Sequence, residues 1–225
     1  MRVKGDIRRM NCLDRLYKGL LNTYYRIKGM GVFALVPFFI VFVLIPGTVF
    51  LVMRYVGKMD LVYTCIVESC EYLIPLFSVF HIFFILYHFT EEPGNEVLYI
   101  SDRNKLPMLL LPYILYELML LPQFFVYTGW FGQLWLLYAR LLAINLFYTA
   151  FVYFAAFMFR GISVGVIGVL LYTIGKMVAG QTAIIYLTEQ QAPIRFFVQH
   201  LLPYIGASVL LGFLGVFANR HFKRW

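Results

Sequence analysis

The chain reads as an all-α integral membrane protein: six transmembrane helices preceded by an N-terminal amphipathic interfacial helix, with both termini cytoplasmic. Three observations predict this. Of the 225 residues, 62% are hydrophobic and only 13% charged, about half the charged share of a soluble domain; the mean hydropathy is +0.78. Apolar runs long enough to cross about 30 Å of hydrocarbon recur along the whole length. Lys and Arg fall unevenly on the two sides of those runs. The composition leaves no room for a large soluble domain, so residues 1–225 are expected to form one transmembrane domain.

The first element spans residues 8–28. Met10, Leu13, Tyr17, Leu20, Tyr24 and Ile27 recur three and four apart, while Asn11, Arg15, Lys18, Asn22 and Arg26 take the other side. That spacing predicts a helix lying in the headgroup region, its basic face toward water. No cleavable signal peptide is expected, because the first apolar run follows some 30 polar and amphipathic residues. Span one is expected at about 32–53, with Pro37 and Pro46 inside it, and span two at about 64–89, with Pro75, His81 and His88. Span three covers about 106–128 and contains Glu117; Gly129–Gln133 make a tight turn into span four at about 134–159, which carries Arg140. Span five, about 162–186, is glycine-rich and carries Lys176. Span six covers about 200–218.

The longest polar interruption is Thr90–Lys105, in which Glu91, Glu92, Glu96, Asp102, Arg103 and Lys105 are charged. Each charge would cost several kcal/mol in lipid, so the segment belongs in water between spans two and three. Pro93-Gly94 marks a turn. Asn95-Glu96 then opens a short helix with Val97, Leu98 and Ile100, a shape suited to docking something in the aqueous phase. With the N-terminus inside, the cytoplasmic connections hold fourteen Lys and Arg (eight in residues 1–28, then Arg103, Lys105, Arg160, Arg220, Lys223 and Arg224), and the outside holds Arg54, Lys58 and Arg195. The positive-inside bias therefore puts both termini and the 90–105 segment in the cytoplasm. The formal charge of +8 sits mainly on residues flanking the membrane, so it is no sign of nucleic-acid binding. Cys65 and Cys70 point roughly 140° apart on a helix, which disfavours a mutual disulfide. Cys12 stands alone among basic residues, and no cluster has metal-ligand spacing.

Within the spans, Glu71, His81, Glu117, Arg140 and Lys176 are the candidate intramembrane polar or pathway residues. Glu71, Ser78, His81 and His88 fall within an arc of roughly 100°. They form either a polar strip facing a pathway or a scatter of interface residues with His81 bonding a neighbouring helix. Glu117 and Arg140 lie on antiparallel neighbours, and buried ions pair, so a structural ion pair between them is expected. Lys176 is open among three readings: snorkelling outward, pairing with Glu68 or Glu71, or lining a cavity. Glycines 161, 165 and 168 of span five and 206, 212 and 215 of span six allow close helix approach, either within the chain or at a subunit interface.

This layout resembles the permease subunit of an ABC-2 type ATP-binding cassette transporter. The segment Glu91-Glu92, Gly94, Asn95-Glu96, Val97-Leu98, Ser101-Asp102-Arg103 and Lys105 is similar to that family's coupling segment. Residues 188–199, with Pro193, match in position its extracellular re-entrant hairpin. One departure is a very short first extracellular loop. The resemblance implies ATPase-coupling roles for Glu91, Glu92, Gly94, Glu96, Val97, Leu98 and Arg103. It implies ABC ATPase subunits as partners, with a second permease copy or a paralogous permease, in a bacterial cell membrane. The implied function is export of an amphiphilic or hydrophobic substrate (peptide, lipid-linked or drug-like). No G-x-x-x-x-G-K-[ST], H-E-x-x-H or G-x-S-x-G motif occurs, so the chain is expected to bind no cofactor and to be no enzyme itself, with ATP and Mg held by the partner. Two other classes stand beside this one. A secondary transporter would show an internal repeat, which is not evident; a membrane enzyme would need paired catalytic groups near one face.

Overall fold

The computed structural model describes residues 17, 21, 24, 25, 28, 29, 31–91, 106–132, 134–179 and 197–222. Most of the expected interfacial helix, the 92–105 stretch, residues 180–186 of span five and residues 188–196 lie outside the described residues. Every regular element among the described residues is helical. We number them α1 (Gly31–Val56), α2 (Met59–Tyr87, its last turn reaching Thr90), α3 (Leu106–Phe131), α4 (Trp135–Met158), α5 (Ile162–Val178) and α6 (Phe197–Asn219, continuing to Phe222). Five of these, α1, α2, α3, α4 and α6, are long and apolar enough to cross a membrane. The sixth, α5, is a shorter apolar helix of 17 residues, about 25 Å of rise.

The bundle is built around α2 and α4. Each is 67% buried over its most apolar window, against 22% for α1, 33% for α3 and 17% for α6. α4 packs on α2, α3, α5 and α6, while α1 packs on α2. The outer helices turn large apolar side chains outward, among them Phe33, Phe39 and Phe50 of α1, Phe125 of α3, and Phe213 and Phe217 of α6. In water such a surface would aggregate; in a bilayer it is the lipid face. The core divides in two. One cluster joins α1, the first half of α2, α3 and the start of α4 through Val49, Ile66, Phe124 and Leu137. The other joins the second half of α2, the rest of α4 and α5 through Ile82, Tyr148, Val152 and Val169.

Proline shapes three of the helices in the same way. A five-residue π-turn runs over Ile40–Leu44, Ser69–Leu73 and Phe197–Leu201, and each ends two residues before a proline: Pro46, Pro75 and Pro203. A proline has no N–H to give the carbonyl four residues back, and the widened turn absorbs that mismatch. The carbonyls denied their usual donor four residues on belong to Phe42, Glu71 and Gln199.

The chain turns between α3 and α4 at Gly132, whose φ of 78° is left-handed and suits glycine. The expected turn at 129–133 is thus later and tighter, since Gly129 and Trp130 continue α3. Between α4 and α5 the reversal uses Arg160 at φ 55°. The span-five and span-six glycines divide by role. A Cβ on Gly168 would lie 2.5 Å from the Phe151 ring, one on Gly215 2.5 Å from the Tyr153 ring, and one on Gly165 3.2 Å from the Val152 Cα, whereas Gly206 and Gly212 have open space. Gly165, Gly168 and Gly215 therefore serve close packing on α4 inside the chain.

Candidate intramembrane charge cluster

Glu71 lies in the widened turn of α2 and is fully buried. Two cations meet its carboxylate. Arg140 of α4 brings Nε to 2.7 Å from Oε1, and its Nη2 donates to Oε2 at 3.3 Å. The Nε contact is a charge contact rather than a hydrogen bond, because its angle is poor. Lys176, near the end of α5, donates from Nζ to Oε2 at 2.8 Å. The same Nζ lies 3.4 Å from the Glu71 backbone carbonyl, the one that Pro75 cannot bond. The proline thus shapes an acceptor for the lysine as well as the bulge that displays the carboxylate. The ammonium also sits 5.6 Å from the ring centre of Tyr72 and 6.0 Å from that of Tyr204, within cation–π range. All three charged side chains are at most 7% exposed.

Polar groups surround the cluster. Arg140 Nη1 is 3.2 Å from His200 Nδ1. Guanidinium only donates, so Nδ1 accepts and the imidazole carries its proton on Nε2. Tyr172 and Tyr204 share a hydrogen bond between hydroxyls at 3.2 Å, and Tyr148 and Thr173 share one at 2.8 Å. Beside the cluster lies a cavity of about 390 Å³ whose wall includes Arg140, Tyr172, Gln199, His200, Tyr204 and Ala207. A second cavity, of about 370 Å³ between α3, α4 and α6, is lined by apolar groups such as Leu109, Leu146 and Val209, with no charged side chain among its described lining residues.

The structure brings together three of the five intramembrane candidates: Glu71, Arg140 and Lys176. Of the readings open for Lys176, pairing with Glu71 is the one observed, and it leaves the lysine next to the cavity. The expected Glu117–Arg140 pair does not form. Glu117 Oε1 accepts from Asn145 Nδ2 at 2.6 Å, and Tyr138 donates its hydroxyl to the Glu117 carbonyl at 2.9 Å. Tyr138 and Asn145 are seven residues apart and share the α4 face toward α3; Arg140 lies about 140° around from Asn145 and faces away. Among the described residues no cation pairs with Glu117. His81 sits ten residues beyond Glu71, about 15 Å along α2, with its ring centre 5.0 Å from that of Phe38 on α1. Of the strip's described side chains, Ser78 bonds the Pro75 carbonyl, His81 packs toward α1 and Glu71 joins the cluster; the His88 side chain lies outside the described residues.

Of the coupling candidates, Glu91 alone is described; Glu92, Gly94, Glu96, Val97, Leu98 and Arg103 lie outside the described residues. Glu91 Oε1 accepts the backbone N–H of Ile162 at 2.9 Å. Ile162 opens α5 after Gly161, which offers no side-chain cap. A carboxylate at that point satisfies an orphan donor and complements the helix dipole. The first residue after α2 thus holds the start of α5. Gln199, His200, Tyr172 and Tyr204 are functional candidates that sequence reasoning missed. Their signal was the pair Gln199-His200 one turn before Pro203, in the position where Glu71 stands before Pro75.

Comparison with protein-family models, curated proteins and solved structures finds no match.

Proposed function

We propose that this chain is the membrane-spanning permease subunit of an ATP-driven transporter of the ABC-2 type. In this reading it exports an amphiphilic substrate and couples to a separate ATPase through the 90–105 segment. It has six spans, α1 to α6, with both termini cytoplasmic, and it pairs with a second permease. The observation that carries the reading is the position of α5 between two ends. At its start, the Ile162 N–H is held by Glu91 at the root of the 90–105 segment. Fourteen residues later, about 21 Å along the axis, Lys176 is held by Glu71 beside the polar cavity. A push on the segment is thereby transmitted to the ion cluster by a single rigid helix, a shear of the kind that converts domain closure into gating.

The apolar bundle supports transport in a second way. Buried charge is expensive in a membrane and is characteristically found where a pathway or ligand needs it; here Arg140 carries the cluster to the wall of a cavity. The experiment is co-expression with a candidate ATPase followed by purification in mild detergent. The ATPase should co-purify and hydrolyse ATP. Leu98→Asp, or Glu92→Lys with Glu96→Lys, should uncouple hydrolysis from transport while the bundle stays folded. Loop variants that behave like wild type, or transport by the chain without any ATPase, would replace this reading with a secondary transporter.

A further inference from the structure

The charges around the cavity do not balance. Among the described residues, two formal cations, Arg140 and Lys176, face one carboxylate, Glu71. Glu117 does not correct this, because Asn145 holds its carboxyl on the α3 side of α4. Among the described residues one positive charge is thus left over beside the cavity, and such a charge in a low-dielectric interior calls for an anion.

The groups lining the cavity point to the same partner. Arg140 is a planar fork of donors suited to oxyanions, and among the described residues no acidic side chain lines the wall. Of the two hydroxyls in the Tyr172–Tyr204 pair, one proton is used between them and the other is available to a ligand. Gln199 adds a side-chain amide. Phe147, Pro203 and Ala207 complete the wall with apolar surface, a fit for the first methylenes of a chain attached to the anion. We propose that this cavity binds the phosphate or carboxylate head of an anionic amphiphile, with Arg140 as its principal ligand. That the anion is transported rests on the permease reading; that it binds does not.

The test uses the full chain purified in the nonionic detergent dodecyl maltoside, with no ATPase present. Three probes are titrated calorimetrically: dodecyl phosphate below its micelle concentration, inorganic phosphate, and dodecyltrimethylammonium. Dodecyl phosphate should bind saturably, one per chain, with inorganic phosphate weaker and the cation silent. Arg140→Gln removes the surplus charge while leaving a neutral Glu71–Lys176 pair. Ala207→Phe fills the cavity and leaves every charge in place, so it reports even if the first variant folds poorly. Each should weaken dodecyl phosphate binding by about tenfold or more. No saturable binding, or binding unchanged in Ala207→Phe, would overturn the site. Inorganic phosphate binding as tightly as dodecyl phosphate would overturn the amphiphile assignment. If dodecyl phosphate binds here but no ATPase co-purifies in the separate co-expression experiment, the permease reading alone fails.

Discussion

Glu71 is the residue on which the interior depends. Its carboxylate holds two cations from two other helices, and its backbone carbonyl faces one of them. Glu71→Gln leaves Arg140 and Lys176 buried side by side without a counter-ion, and breaking a buried pair in this way costs about 3–5 kcal/mol. Arg140→Gln and Lys176→Met each leave one cation on Glu71, so each should cost less. Thermal unfolding of the purified variants checks this order: Glu71→Gln should show the largest drop in unfolding temperature. The identities of these residues were legible in the sequence, but their partners were not. Adjacency along the chain favoured Glu117 for Arg140. The outcome was set instead by which face of α4 turns toward α3, and Tyr138 and Asn145 decide that. Nothing in the spacing of Arg140 alone carries this information.

At the scale of the helix, small residues and prolines do different work. Gly215 lets α6 approach α4 so closely that any Cβ meets Tyr153 at 2.5 Å and the Phe154 Cα at 3.3 Å. Gly215→Val should therefore cost about 1–3 kcal/mol through overpacking. Gly212, with nothing within 4 Å, should accept alanine without loss, because a helical glycine is worth up to about 1 kcal/mol less than alanine. Unfolding of the two variants side by side reads the contrast; equal destabilisation would contradict the α4–α6 packing described. Sequence spacing flagged all six glycines alike. Only the helix faces separate the three that pack from the two with open space. The helix starts and stops were more legible, since Gly57 and Gly132, at φ 66° and 78°, punctuate α1 and α3 as glycine does. Glu91 was legible as a charged residue of the aqueous segment between spans two and three. Its grip on Ile162 was not, because a cap supplied from 71 residues away leaves no local pattern. Glu91→Ala should loosen the start of α5 by about 0.5–2 kcal/mol, seen as faster amide exchange at the first turn of that helix. Unchanged exchange there would remove the link between the segment and α5.

For the molecule as a whole, composition and apolar run length were enough to give a helical membrane bundle, and the five long apolar helices agree with them. Hydrophobicity is read locally along each helix, so the ends of α1, α3, α4 and α6 emerge from sequence within about three residues, whereas α2 begins at Met59 rather than near 64 and α5 closes at Val178 rather than near 186. Which helices are central is a matter of packing partners, and α4 was not distinguishable from its neighbours in advance. Sidedness rests on the Lys and Arg bias alone, and in the proposed orientation the Glu71 cluster would lie toward the outer face, opposite the 90–105 segment. Single cysteines at Asn95, Lys58 and Lys223 test it: an impermeant reagent applied to intact cells should label position 58 and spare 95 and 223. Labelling at 95 or 223 would invert or break the arrangement.

The central claim is that the 90–105 segment delivers the force of a separate ATPase to the bundle. Its most direct measurement places a photo-crosslinking residue at Leu98, or at Lys58 on the opposite face, in membranes containing the co-expressed ATPase. The account predicts a crosslink to the ATPase from position 98 whose yield changes with ATP, and none from position 58. Crosslinks from 58, or no crosslink from 98 while the ATPase is present, would contradict it.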